Sequence, residues 1–341
     1  MSKVSRGTSA IAILDRRTFL KTGGALGAMT VAGFPMVALA DDTIYRWGSA
    51  SLGSSGYVIM EALSQIVKAK AGLNSSSLAT AGTTENMALI GGGELEFGHS
   101  TTVDWVAATE GQKPFEGPIE LHQMFAYAAW HEPPIVHADS DIRTIADLAG
   151  KRYSPSQPGS GAALLHHELM RAAGIYDSID WAYGTWAEVY DAFKARRIHG
   201  VVGVITNGQL DGRILEAEAA VEVRALEVPE EVILAARQVN AGILDGMIGP
   251  DVWPTLEKPI RMPLIGGVVA ASPSVTPEAG YAITSAIFDN AEEVRQMAQP
   301  LSAIDTEFAV RNMMTAFPVN AGAAQYFQEQ GVWRDDLMIA G

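Results

Sequence analysis

The sequence predicts an α/β fold in two lobes facing each other across a ligand cleft, and three observations carry that prediction. Short β-type runs alternate with helical stretches, as expected of sheets with helices on their faces. Four strand ends open into Gly/Ser/Thr-rich loops that start helices, at residues 48–57, 80–86, 154–161 and 206–213. In open α/β sheets ligands bind beyond such carboxyl ends. Finally, 341 residues less a leader suffice for two cores of ordinary domain size.

The leader comes first. Asp15-Arg16-Arg17-Thr18-Phe19-Leu20-Lys21 is a twin-arginine export motif, followed by a mildly apolar run at 22–39 and the small-x-small site Ala38-Leu39-Ala40. The run is short, rich in Gly and Ala and broken by Pro35, which favours cleavage after Ala40 over a membrane span. The mature chain is expected in a bacterial periplasm, delivered by the twin-arginine machinery. That route carries proteins already folded, which suits a chain with no cysteine.

Beyond the leader, a strand at 44–47 precedes a Gly/Ser loop and a helix at 57–71, and 76–80 leads into a helix near 85–90. A strand at 95–100 completes a layer expected to be mostly parallel. A second set begins at Ile135-Val136-His137, with a short helix at 144–148, a strand at 152–154, helices at 161–173 and 186–196, and an apolar run at 201–205. Gly150, Gly174 and Gly200 are stop signals. Long amphipathic segments return at 277–297 and 304–317.

Charge excludes one class of partner. The formal net charge is −15, and removing the leader, with five basic residues against Asp15, makes the chain more acidic. Nucleic acid is therefore a poor partner. An anionic ligand has to be held by local dipoles and one or two placed cations. The stretch Ser154-Pro155-Ser156-Gln157-Pro158-Gly159-Ser160-Gly161 is suited to hold one, because its glycines allow close backbone approach and the next helix points its N–H groups at the loop. An ordinary serine-capped turn reads equally well. A nucleotide P-loop does not, because Ala162 stands where its lysine belongs. His166 and His167 are adjacent and so face different ways on a helix, and no metal or cofactor is expected. Trp181, Trp186 and Trp253 read as core or lobe-rim packing.

Several motifs in order carry a resemblance. Gly48-Ser49-Ala50-Ser51-Leu52-Gly53-Ser54-Ser55-Gly56-Tyr57 is followed by Ala81-Gly82-Thr83-Thr84-Glu85-Asn86, then Gly93-Glu94 and Phe97-Gly98. Next come Glu132-Pro133-Pro134 to Ala138-Asp139-Ser140, then Ile145, Asp147-Leu148 and Gly150-Lys151-Arg152. Asn320-Ala321-Gly322-Ala323-Ala324, Tyr326-Phe327 and Gly331 complete the set. In this order and spacing the chain resembles the TAXI family of solute-binding proteins, receptors of one branch of TRAP transporters. Departures are Arg197-Ile198-His199-Gly200, Ser156 in place of a common glycine, Asn320-Ala321 for His-Pro, and a long stretch at 242–264.

The resemblance implies a two-lobed periplasmic-binding-protein fold of type II: lobe I at 41–138 and 268–341, lobe II at 139–267, with crossings near 137–140 and 266–271. It implies a receptor that closes on a small carboxylate, dicarboxylate or acidic amino acid and delivers it to a fused TRAP membrane component. The expected ligand ring is Ser51, Ser54, Ser55, Tyr57, Thr83, Ser100 and Thr101 from lobe I, with Arg46 nearby, and Ser156, Gly159, Ser160, Gly161, Thr206, Asn207 and Gly208 from lobe II. Trp130, His131 and Glu132 read either as cleft residues or as an interlobe hydrogen-bond cluster. A receptor feeding a sensor kinase or chemoreceptor is the alternative. An enzyme on the same fold is a third, although no Gly-x-Ser-x-Gly elbow or His-Glu-x-x-His appears and no catalytic residue is assigned.

Overall fold

The structure is a computed structural model that describes residues 43–341. The export motif and the expected cleavage after Ala40 lie outside the described residues. The chain runs through β1 (Ile44–Gly48), α1 (Ser55–Ala71), β2 (Asn74–Leu78), α2 (Thr83–Gly91), β3 (Phe97–Thr101), α3 (Thr102–Glu110) and the long β4 (His122–His131). Next are β5 (Pro134–His137), β6 (Arg152–Ser154), α4 (Gly161–Ala172), β7 (Asp180–Trp181), α5 (Trp186–Lys194) and β8 (Gly200–Val202). The short β9 (Ile205–Thr206) and β10 (Gln209–Leu210) lead to α6 (Gly212–Ala220), β11 (Val223–Ala225), α7 (Glu230–Val239), β12 (Leu244–Ile248) and β13 (Ile260–Ala271). There follow α8 (Pro277–Phe288), α9 (Ala291–Met297), α10 (Thr306–Arg311) and α11 (Ala321–Glu329).

Two sheets result. The first has the order β10-β9-β4-β13-β3-β1-β2, with β12 also paired to β13, and the second has the order β11-β5-β8-β6-β7. The expectation of mostly parallel strands holds for β2-β1-β3 and for β7-β6-β8. Elsewhere it fails. β13 runs antiparallel to β3, β4 and β12, and β5 runs antiparallel to β8 and β11. The reason is topological: β12 and β13 follow one another with no helix between, and β4 and β13 are joined only by the long excursion through the second sheet, so no single strand–helix–strand unit imposes parallel pairing on them.

Packing follows from the pattern. In α1, Ile59, Met60, Leu63, Ile66 and Val67 recur at helical spacing and are buried against the first sheet. Ser54 caps the start of that helix, and Gly72 ends it in the left-handed conformation at φ 67°. Trp47 stacks on Phe97 at 4.4 Å between ring centroids, which makes it core and not a cleft residue. Val268, Val269, Ala270 and Ala271 of β13 are fully buried, as befits a strand covered on both faces. Full burial of a side chain the size of valine contributes about 1.5–3 kcal/mol.

The chain leaves the first sheet for the second across Glu132-Pro133, earlier than the expected 137–140. Pro133 and Pro134 supply no N–H, so the ladder of β4 stops there. The second expected crossing, 266–271, lies wholly inside β13 of the first sheet. The loop at 206–213 leads into α6 at Gly212 as expected, but by way of a hairpin. Thr206 and Gln209 pair across Asn207 and Gly208, whose φ values are 50° and 75°: an Asn-Gly hairpin turn. The amphipathic segment 277–297 is two helices that part after Phe288, and only Thr306–Arg311 of 304–317 is α-helical.

Candidate functional site: a cavity between helix starts

Helices α1, α2 and α4 begin around one cavity of ≈ 50 Å³. From the first sheet's layer, Ser51, Ser54 and Ser55 come from the loop into α1, Thr83 opens α2, and Thr101 ends β3. From the second layer, Ser160 and Gly161 start α4, and Trp186 stands at the start of α5. The end of β4 and the start of α6 add Trp130, Glu132 and Arg213. A more open depression of ≈ 410 Å³ shares Ser54, Ser55, Trp186 and Arg213 with the cavity and forms its vestibule.

The polar atoms of this wall are set by their sequence positions. Ser54 Oγ accepts from Tyr57 N at 3.2 Å, and Ser160 Oγ accepts from Ala163 N at 3.2 Å while donating to the Gln157 carbonyl at 2.8 Å. Ser160 is thus both a helix cap and a wall residue, so the two sequence readings of 154–161 coincide. Asp104, in the first turn of α3, is buried behind the wall and accepts from Thr84 Oγ1 at 2.6 Å and Thr101 Oγ1 at 2.5 Å. Burial raises its pKa against the opposing pull of the threonine hydroxyls. Thr83 Oγ1 is buried without a well-formed hydrogen bond, and so is Glu132 Oε2. Burial, with a smaller contribution from Asp104, lifts Glu132 to about 8. His99 lies against Tyr127, and burial lowers it to about 3, so its ring is neutral. The Arg213 guanidinium is held by Asp211 at 2.8 and 2.6 Å and lies 5.0 Å from the Trp186 ring.

The two layers touch beside the cavity. Thr84 N donates to the Gly159 carbonyl at 3.2 Å, and Gln157 Nε2 donates to the Ala81 carbonyl. Gly161 is packed so closely that an added Cβ would stand 2.8 Å from both Asp104 Oδ2 and Thr83 Oγ1 and 2.9 Å from Thr101 Oγ1. Only glycine fits there with the layers together.

Seven expected ring residues line the cavity: Ser51, Ser54, Ser55, Thr83, Thr101, Ser160 and Gly161. Eight lie off the wall. Arg46 is engaged with Glu96 at 2.6 and 3.0 Å and with the Gly93 carbonyl, and does not line the cavity. Ser100 is spent inside the sheet, donating to the Val268 carbonyl and accepting from Trp105 Nε1 at 2.7 Å. Thr206, Asn207 and Gly208 form the hairpin of the first sheet, where Asn207 Oδ1 accepts from Ala129 N at 2.9 Å and its amide donates to the Pro300 carbonyl at 3.1 Å. Tyr57, in the first turn of α1, does not reach the wall, and Gly159 serves the contact to Thr84. Ser156 is buried behind the loop at φ 78°, its hydroxyl without a partner.

His99, Trp186 and Arg213 are wall residues that no motif signalled, and Trp130 and Glu132 were legible only as one of two alternatives. His166 is a satisfied core side chain, bonded to Tyr153 Oη at 2.8 Å and the Glu132 carbonyl at 3.1 Å, whereas His167 lies on another face against Tyr183. Among the described residues no group of three His, Cys, Asp or Glu side chains is placed to hold a metal ion, and no helix is long and apolar enough to cross a membrane.

With this geometry in place, the family model for NMT1-like proteins matches residues 47–331. The chain belongs to the NMT1-like family. A twin-arginine translocation signal model matches residues 14–33, so this NMT1-like chain is an exported, periplasmic protein. Its fold is that of periplasmic solute-binding proteins. It is similar to XAC2383 from Xanthomonas citri bound to chloride ion, with TM-score 0.51 and 13% identity over 85% of this chain and 97% of that one. It is also similar to a binding-protein component of an ABC phosphonate transporter from Pseudomonas aeruginosa, with TM-score 0.50 and 11% identity over 76% and 80% of the two chains.

Proposed function

We propose that this protein is a periplasmic receptor that closes on one small organic anion and hands it to a membrane transporter. The observation that carries the reading is the meeting of helix starts from both layers around one cavity. Each start presents free N–H groups and a positive dipole end, which favour an anion without requiring a basic surface. Ser54, Ser55, Thr83 and Ser160 add hydroxyls. In this reading the two sheets are the cores of two lobes, and the Thr84-to-Gly159 contact belongs to the closed state. Closure then follows from chemistry, because only the closed state lets both sets of donors reach one ligand.

The ordered motifs from Gly48 to Gly331 support a TAXI-type TRAP partner, and a small carboxylate fits the hydroxyl-rich wall. A second reading, an ABC-type partner and a phosphonate ligand, is favoured by the phosphonate-transporter component that shares the fold. The helix starts serve either anion. A binder is preferred to an enzyme because the chain belongs to the NMT1-like family and shares the fold of periplasmic solute-binding proteins. A thermal-shift screen of the mature protein against carboxylates, amino acids, sulfonates and phosphonates tests the proposal. A receptor of this kind is stabilised by its ligand in proportion to the logarithm of concentration over Kd. No shift with any member overturns the reading, and a neighbouring gene for a sensor rather than a transporter redirects it to signalling.

A further inference from the structure

The cavity holds a feature that an anion site does not require. Glu132 is 5% exposed, lines the wall and leaves Oε2 without a hydrogen-bond partner. It is not neutralised from any direction. Arg213, the one Lys or Arg on this wall among the described residues, is already clamped by Asp211. From α3 comes Asp104, another acid, with its oxygens filled by threonine hydroxyls. From β6 and α5 come the Tyr153 and Tyr190 hydroxyls, and from α4 comes His166, neutral through burial and bonded to the Glu132 backbone carbonyl. From β3 comes His99, also neutral. An ionised Glu132 would face Asp104 and a bound anion from a buried position, with no free cation beside it on the wall among the described residues, and like charges so placed oppose ionisation.

We propose that Glu132 is a specificity residue of this cavity: held as an un-ionised acid, it donates its O–H to an oxygen of the bound oxyanion. This rests on the anion-receptor reading and deepens it. The ligand is a small carboxylate or sulfonate monoanion with a free acceptor oxygen, and the proton stays on Glu132 throughout. A neutral acid kept so by a buried site is a known way to supply such a donor. Selectivity follows: an anion that offers its charged oxygen is taken, whereas a ligand presenting an ammonium group to this end meets an O–H instead of a counter-ion.

The experiment is calorimetric titration of the mature protein with formate, acetate, glycolate and methanesulfonate between pH 6 and 9.5. Since Glu132 titrates at about 8 in the ligand-free protein, affinity is expected to be flat below that pH and to fall about tenfold per unit above it. At pH 9, titrations in two buffers of different ionisation enthalpy should report uptake of up to one proton per ligand. Glu132→Gln keeps an N–H donor but cannot ionise, and should flatten the profile whatever its absolute affinity. A flat wild-type profile overturns the inference, and so does affinity that rises with pH, the sign of an ionised Glu132 meeting a cationic ligand group. If no probe binds at any pH while other classes in the screen do, the inference fails and the receptor reading stands; if nothing in the screen binds, both fail.

Discussion

Replacing Gly161 by alanine tests whether the meeting of the two layers is part of binding. The new methyl would stand 2.8–2.9 Å from Asp104 Oδ2, Thr83 Oγ1 and Thr101 Oγ1, where ordinary contact begins at 3.4 Å. The neighbours cannot give way cheaply, because the Asp104 carboxylate is fixed by hydrogen bonds of 2.5 and 2.6 Å inside the protein. The start of α4 must therefore retreat by about half an ångström or more, at the cost of about 1–3 kcal/mol typical of overpacking. If the ligand binds only with the layers together, that cost falls on the bound state and weakens affinity about 5- to 150-fold. The ligand-free protein escapes it by opening. Alanine at a helical backbone position also removes freedom from the unfolded chain, worth about 0.4–1 kcal/mol, so its Tm should hold or rise. Titration calorimetry with the best ligand from the thermal-shift screen, beside a melting curve without ligand, measures both. An unchanged Kd would show that the contact at Gly161 is not part of the bound state and would refute the reasoning.

Three further outcomes are expected. Ser160→Asp keeps a good helix cap but puts a carboxylate on the wall, so binding of an anion should weaken at least tenfold while the circular dichroism spectrum stays the same; retained affinity sinks the helix-terminus account. Ser156→Gly relieves a left-handed backbone at φ 78° and removes a buried hydroxyl without a partner, which should stabilise the protein by about 1 kcal/mol and raise Tm by about 2–4 °C; a lower Tm argues against strain there. Glu132 also writes a pH signature into stability: its native pKa of about 8 lies above the unfolded value, so the stability it contributes is complete at low pH and is lost as pH rises through 8. The loss is steepest, about 1.4 kcal/mol per pH unit, between about pH 5.5 and 7, where the native Glu132 keeps its proton and the unfolded one does not, and it flattens above pH 8; urea melts read it, and Glu132→Gln should abolish it.

The loop-to-helix starts were readable from sequence because their chemistry is local. Ser54 and Ser160 cap helices where a serine precedes an apolar-periodic run, and both reach the cavity. What escaped was whatever depends on distant partners. Ser100 looked free at a strand end, but its hydroxyl is taken by Val268 and Trp105, and β13 arrives from far along the chain. Arg46 looked like a cation for the ligand, yet Glu96, on the loop before the neighbouring β3, claims it. Arg213 and Trp186 enter the wall because α5 and α6 begin there, which no local spacing announces. The loop at 206–213 is mixed: it leads into α6 as its Gly-rich composition suggests, while the Asn207-Gly208 pair first turns the chain back on β9.

The place of β13 in the first sheet has a kinetic consequence. It lies between β3 and β4, joining strands made early in synthesis to one made much later, and both neighbours lack an edge partner until it arrives. Closing so long a loop before any pairing rewards it makes assembly slow, and leaves two open strand edges exposed in the meantime. A chain threaded unfolded across a membrane would have to wait out that interval in the periplasm. A chain bearing the twin-arginine signal at 14–33 completes it in the cytoplasm, beside the chaperones there, and crosses with its sheet already sealed.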